Sequence, residues 1–508
     1  MAKHKKPIST KPPRFGQQER QLSRFFEPLV LLYTLGSTRG EHSCDITSAK
    51  ENLSHLSFRE LRRTFLRELA YMCDYDKGGD TVAAIGLEFT PQKHIFWIAS
   101  NMESNTKVVQ FLNSLLAKLS WTASQQSLPT SEGANGIAEQ YINFAIPRIK
   151  KYRSHLKPVL RRCLEYLNGA RQEDDLCRLA YQERNSDFMR TLGRLSKEPS
   201  YKTNRDAIHQ AFRLVRHYIG RLGHHFRAAE VLHHGASSLH DVLHDFEVRS
   251  VPTTLKSAIP PADGMTTLEN MIVRMLPAKS IELHKYQRAL TEMDFKYQLS
   301  RRFKENYESP NLKPRVHAEI KILEHFYARN LLFADNDPFV ACSKPACYCC
   351  QLYFRHHPAQ YVEPNSHQKI YLNWRPPTPD TKNDRIDENH QRDILNLMVR
   401  DIRKEALRQI HEKAAPTAWH PDSLTGITES AVLEQKLRAS EEAKSLFPSE
   451  LLVRHTEILE AIDHSVPITS SSSGEEMSSG SEAVHSERSE VVFESFLEDS
   501  DEEGGIPL

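Results

Sequence analysis

Apolar residues recur at every third or fourth position along most of the chain, the spacing of one helix face, and thicken into strand-like runs in only a few places. Leu61, Phe65, Leu69 and Met72 form the first clear stripe, which Asp76-Lys77-Gly78-Gly79-Asp80 stops. Two strand-like runs follow, 81–88 and 94–99, joined by a Thr-Pro-Gln loop. Together they predict a hairpin. From 106 to 311 the pattern is almost entirely helical, with stripes over 108–119, 138–149, 156–167, 206–220 and 265–276 and no repeat of fixed length.

The pattern tightens again further on. Val316, Ile320, Leu323 and Tyr327 predict a helix that opens at His317, and Pro338-Phe-Val-Ala-Cys342 predicts a short buried strand after a polar loop. A helix beginning near Pro345 would run to the stop at Pro358, residues 369–373 predict a further strand, and Ile394, Met398, Ile402, Ala406 and Ile410 mark an amphipathic helix able to cover a sheet.

Composition alters this picture at the two ends. The first 20 residues are a basic, Pro-containing arm (Lys3, Lys5, Lys6, Lys11, Arg14) with too little apolar content to fold, and read as disordered. Helical patches fill 416–463, and residues 464–508 are a Ser-rich tail. From Val466 onward eleven acidic residues face a single basic one, Arg488, so this tail also reads as disordered and would be attracted to a basic body. Within it, Glu490-Val-Val-Phe-Glu-Ser-Phe-Leu497 resembles a docking segment for a protein partner, the alternative being a solvating tail.

The whole chain of 508 residues carries a formal charge of only +1, with no apolar run able to span a bilayer and no secretory leader. An intracellular protein, cytoplasmic or nuclear and without a membrane partner, is expected. A basic run (Arg148, Lys150, Lys151, Arg153, Lys157, Arg161, Arg162) offers either a path for nucleic acid or a solvated helix face. His217, His224, His225, His233 and His234 lack the carboxylate or Cys spacing of a metal site and read as core and surface histidines.

Chemistry concentrates in one stretch. Of eight cysteines, four lie between Cys342 and Cys350, which in an intracellular chain points to metal or chemistry before disulfides. His317, Cys347 and Cys350 supply three ligands suited to Zn2+, and three protein ligands leave a fourth position for water. Cys347 and Cys350, at i and i+3, share one face of a first helical turn, where the helix dipole favours thiolate. Glu319 is an acid that need not bind the metal, and suits proton transfer. Cys349 points elsewhere on the helical wheel and reads as a packing thiol. A closed structural zinc site, with Cys342, His356 or His357 as fourth ligand, is the competing arrangement. So is a scaffold that binds its ligand without turnover.

His317-x-Glu319 followed by Pro345, Cys347 and Cys350 resembles the signature of the zinc-dependent deaminases of the cytidine deaminase-like superfamily. The chain resembles more narrowly the large fungal deaminase-like proteins, which carry a similar Ser-Lys-x-x-Cys-x-x-Cys (here Ser343 to Cys350) and a later Arg-His-His (Arg355 to His357). One departure is that Ala346 separates Pro345 from Cys347. The resemblance implies zinc on His317, Cys347 and Cys350, Glu319 as general acid/base, and hydrolytic deamination of a nucleobase-containing substrate. It also implies substrate contacts from Asn101, at the end of the second hairpin strand, and from Asn373 and Trp374 at a pocket rim. The implied fold is a three-layer α/β/α cytidine deaminase-like domain with a large all-helical insertion. Its sheet would begin in 21–101, break for an insertion at 102–313, and resume in a zinc core at 314–415.

Overall fold

The computed structural model describes residues 16–40, 43, 53–101, 106–125, 131–164, 173–186, 189–190, 204–254, 256–310, 312–377 and 388–415. The basic arm up to residue 15, the helical patches of 416–463 and the acidic tail lie outside the described residues. The chain divides into two compact units. One contains the described parts of 1–38, 256–315 and 372–417; the other contains those of 39–255 and 316–371. The boundaries expected from sequence do not coincide with these units. The insertion placed at 102–313 is divided at Lys256, and the core placed at 314–415 is divided at Leu372.

In chain order the helices are α1 (Gln17–Leu35), α2 (Phe58–Cys73), α3 (Thr106–Ser124), α4 (Ser131–Phe144), α5 (Ile146–Leu164), α6 (Glu173–Gln182), α7 (Asn204–Ser238), α8 (His240–His244), α9 (Leu268–Met275), α10 (Leu283–Tyr297), α11 (Leu299–Tyr307), α12 (Ala318–Arg329), α13 (Tyr348–His356) and α14 (Glu388–Glu412). The strands are β1 (Ala83–Phe89), β2 (His94–Ser100), β3 (Phe246–Ser250) and β4 (Ala341–Cys342). No helix among the described residues is long and apolar enough to cross a membrane.

The larger unit is built on a four-stranded sheet of order β3-β2-β1-β4. The hairpin forms as the two apolar runs predict, with Ile85 opposite Ile98 and Gly86 opposite Trp97. It also pairs with the distant strand: β4 runs antiparallel to β1, Ala84 facing Cys342 and Ile85 facing Ala341. At the other edge β3 pairs parallel to β2, so the insertion is not all helical. Five residues with apolar positions only at Phe246 and Val248 are too short and too exposed to announce a strand.

Successive residues of β1 face opposite layers. Ala83, Ile85 and Leu87 enter a core with Phe65 and Leu69 of α2 and Leu112 and Leu115 of α3. Gly86 faces α12, and a Cβ there would lie 2.6 Å from Phe326 and 2.7 Å from Ile322. Helices thus cover both faces of the sheet, a mixed α/β arrangement in a helix-rich chain. Gly86→Ala should cost about 1–3 kcal/mol through overpacking, read as a lower urea midpoint. An unchanged midpoint would mean that α12 can withdraw.

Beside the sheet, α2, α3, α4, α5 and α6 all pack on the 35-residue α7. Ser57 starts α2 with a reciprocal cap, its hydroxyl accepting from the Glu60 N–H while Glu60 accepts from the Ser57 N–H. Two of the histidines have structural partners: His224 lies 3.0 Å from Glu68, and His225 Nδ1 lies 3.2 Å from the Tyr71 hydroxyl. The basic run does not form one solvated face. Arg148 and Arg153 are buried, Lys150 is exposed, and Lys151 pairs with Asp76.

In the smaller unit every residue of α1 from Phe25 to Leu35 is buried. Phe25 packs on Trp374 at 5.2 Å between ring centroids, and Gln409 donates to the Leu35 carbonyl at 2.9 Å. The stripe Ile394, Met398, Ile402, Ala406 and Ile410 is fully buried as its period predicts. Its helix α14 packs against α1 and α10, which replaces the expectation that it covers the sheet. Residues 369–373 form no strand. At and just before its start, within the larger unit, the chain makes single contacts, Ser366 bridging Ala346 and the Lys369 carbonyl accepting from the Tyr348 N–H at 2.9 Å.

Candidate active site

His317 and Cys347 occupy equivalent places, each the residue before the first turn of a helix. His317 precedes α12 with extended φ/ψ, the geometry of an N-cap, but its side chain caps nothing. The imidazole is therefore available for other partners. Asn101, just past β2, caps the helix in its place. The Asn101 Oδ1 accepts from the Ala318 N–H at 2.8 Å, and the Nδ2 donates to the Gly79 carbonyl at 2.8 Å. The Asn101 amide thus ties the start of α12 to the Gly79 turn.

Cys347 is the N-cap of α13, and its sulfur accepts from the Cys350 N–H at 3.4 Å. The helix therefore begins at Tyr348, three residues later than Pro345 suggested. The Cys-x-x-Cys spacing has a local cause, since it sets one sulfur at the cap and the second one turn on, above the same exposed N–H groups. Two helix N-termini, with their partial positive charge, flank the cluster and favour negative sulfur.

His317 Nδ1 lies 3.6 Å from Cys347 Sγ and 3.4 Å from Cys350 Sγ. All three side chains are buried. Zn–N of about 2.0 Å and Zn–S of about 2.3 Å in a tetrahedron require N···S separations of about 3.5 Å, so the donor set fits that ion. Burial resists ionisation of Cys347, yet the hydrogen bond from Cys350 and the nearby His317 bring its pKa down to about 6. Burial and the same hydrogen bond, now given away, push the Cys350 thiol well up. Cys349 is fully buried, and burial holds it as a neutral thiol, in keeping with a packing role.

Glu319 sits in the first turn of α12, 3 % exposed, and is not a member of the three-residue cluster. Its Oε2 lies 4.0 Å from the Cys342 sulfur. Cys342 is thus set against Glu319 and is not in the cluster; burial and the Glu319 carboxylate push its thiol well up. His357 instead stands beside Glu324, at 3.5 Å. The proposed proton carrier and the three proposed ligands converge. Asn373 and Trp374 belong to the smaller unit, where Trp374 is fully buried and packs on Phe25.

Sequence reasoning did not anticipate the polar network behind β4. Ser343 Oγ donates to Asp74 Oδ2 at 3.3 Å, Thr81 donates to Asp74 Oδ1 at 2.5 Å, and Arg148 pairs with Asp74 at 3.1 Å with both side chains fully buried. The available signal was Ser343, part of the Ser-Lys-x-x-Cys pattern, and Arg148, an ionic residue inside a helical stripe. Tyr152 accepts from Nε of both Arg148 and Arg221, each at 3.0 Å. Burial opposes its ionisation, but the two guanidiniums bring its pKa down to about 8. A folded pKa below the unfolded value of about 10 contributes stability that is full above that value and lost as pH falls through 8. The stability gap between wild type and Tyr152→Phe should therefore widen from pH 7 to pH 10 by about 2 kcal/mol at most, measured by urea unfolding. A constant gap would mean that Tyr152 does not ionise there.

No curated protein and no solved structure matches the chain. Residues 316–378, a stretch that contains His317, Glu319, Cys347 and Cys350, match the family model described as OTT_1508-like deaminase, so the part of the chain that carries this site is similar to a deaminase.

Proposed function

We propose that the protein is a zinc-dependent hydrolytic deaminase whose substrate carries an amidine-like nucleobase, as free nucleoside, nucleotide or nucleic acid. The observation that carries this reading is Glu319, a buried carboxylate beside a cluster of, among the described residues, only three metal-type ligands. A structural zinc would call for a fourth protein ligand. Of the three candidates for closing the site, Cys342 and His357 have other neighbours in Glu319 and Glu324, and His356 is likewise not in the cluster.

His317, Cys347 and Cys350 would hold the metal. When bound, zinc supplies Lewis acidity, making a water ionisable near neutral pH. Glu319 takes the proton from the attacking water, gives it to the ring nitrogen, and assists departure of the amine; water and amidine become carbonyl and ammonia. Cys342 and the first turn of α12 keep bulk water from the Glu319 carboxylate, where proton transfer gains from a low dielectric. Asn101 contributes indirectly, by fixing the turn on which His317 and Glu319 stand.

The test is metal analysis of protein purified without chelator, together with ammonia release from cytosine and adenine nucleosides, nucleotides, single-stranded DNA and RNA. About one zinc per chain and ammonia from one substrate class are expected. Absence of zinc would overturn the reading. Zinc without ammonia from any of these substrates would favour a scaffold that binds without turnover.

A further inference from the structure

The strand that brings the cysteine segment to the sheet has little hold of its own. β4 is two residues long and pairs with β1 only at Ala341 and Cys342. Immediately after it, Ser343 continues the ladder by unusual means: its N–H donates to the Ala83 carbonyl at 2.9 Å, and its hydroxyl accepts from the Ala83 N–H at 3.2 Å. The same hydroxyl donates to Asp74. Asp74 is itself fixed from three sides, by Thr81, by the Arg148 ion pair, and by an Arg148 hydrogen bond to its main-chain carbonyl. Arg148 lies in α5 and shares Tyr152 with Arg221 of α7.

A wholly buried ion pair is a poor source of net stability compared with apolar side chains of the same volume. What such a network does well is to select one geometry, because each member left unpaired would be costly. Here the geometry selected is that of the segment bearing Cys342, which touches Glu319, and, four residues beyond Ser343, Cys347. We infer that Asp74, acting through Ser343, is a positioning residue for this segment, and that Arg148 makes the helical body a buttress of the metal site. This rests on the metal reading above.

The test measures the rate at which zinc passes from the purified, zinc-loaded full chain to a chelating dye. Residues that orient ligands from behind typically change metal binding by about 10–100-fold. Ser343→Ala and Asp74→Asn should release zinc about ten-fold faster than wild type, whereas Ser343→Thr, which keeps the hydroxyl, should stay within about two-fold. Leu119→Ala, a cavity in the same core that removes no hydrogen bond, controls for general loosening and should also stay within about two-fold. Wild-type release from Ser343→Ala, or equally fast release from Leu119→Ala, overturns the inference while the metal reading stands. A wild-type chain that takes up no zinc overturns both.

Discussion

Glu319→Gln is expected to slow ammonia release by about 10²–10⁴-fold, the usual worth of a positioned general acid/base, while zinc content stays at the wild-type level. Glutamine keeps the shape and hydrogen-bonding capacity of the side chain but cannot accept and return a proton. The two effects separate because Glu319 stands outside the ligand cluster, in the first turn of α12, with its Oε2 against Cys342. Ammonia release and metal content of the purified variant are the measurements. A rate near wild type would remove Glu319 from the proton pathway. Loss of zinc would instead make it a ligand and close the site.

His317→Ala should strip the metal while sparing the fold. If three ligands share the roughly 10–16 kcal/mol of a zinc site, losing one costs about 3–5 kcal/mol of affinity. Alanine at an N-cap normally weakens the helix as well. His317 is an exception, because its side chain caps nothing and Asn101 already satisfies the Ala318 N–H. Circular dichroism should therefore stay near wild type without zinc, and the zinc concentration needed to raise the melting temperature should climb by about 10²–10⁴-fold. An unchanged zinc requirement would show that the cysteines suffice.

Much of the site could be read from spacing alone. Cys347 and Cys350 meet because i and i+3 at a helix start share a face, and Glu319 falls in the first turn of α12 because it lies two residues after the N-cap His317. That the sheet begun in 81–99 resumes at the distant strand was implied by the resemblance and not by spacing, and β1 opposite Ala341 and Cys342 agrees with it. Tertiary choices were harder to see. Asn101 also holds a carbonyl and an N–H that only the folded chain brings to it, a role that no local pattern announced. The α14 stripe announced burial without naming its partner, and Trp374 is core. Arg148 was legible only as part of a basic run, because nothing local says that it faces Asp74, 74 residues earlier in the sequence.

The long detour between β1 and β4 also bears on how the protein comes into being. Ala84 and Cys342 lie roughly 250 residues apart, a loop whose closure is entropically unfavourable until packing elsewhere has drawn its ends together. The β1–β2 hairpin can form on its own as soon as it is synthesised, since its partners are neighbours. The proposed metal ligands cannot: His317 and both cysteines come after α7, around which much of the helical body packs. A growing chain therefore has the means to assemble its helices before it carries the three residues of the proposed site. Capture of the proposed metal would then be a late event, reserved for chains whose scaffold is already in place.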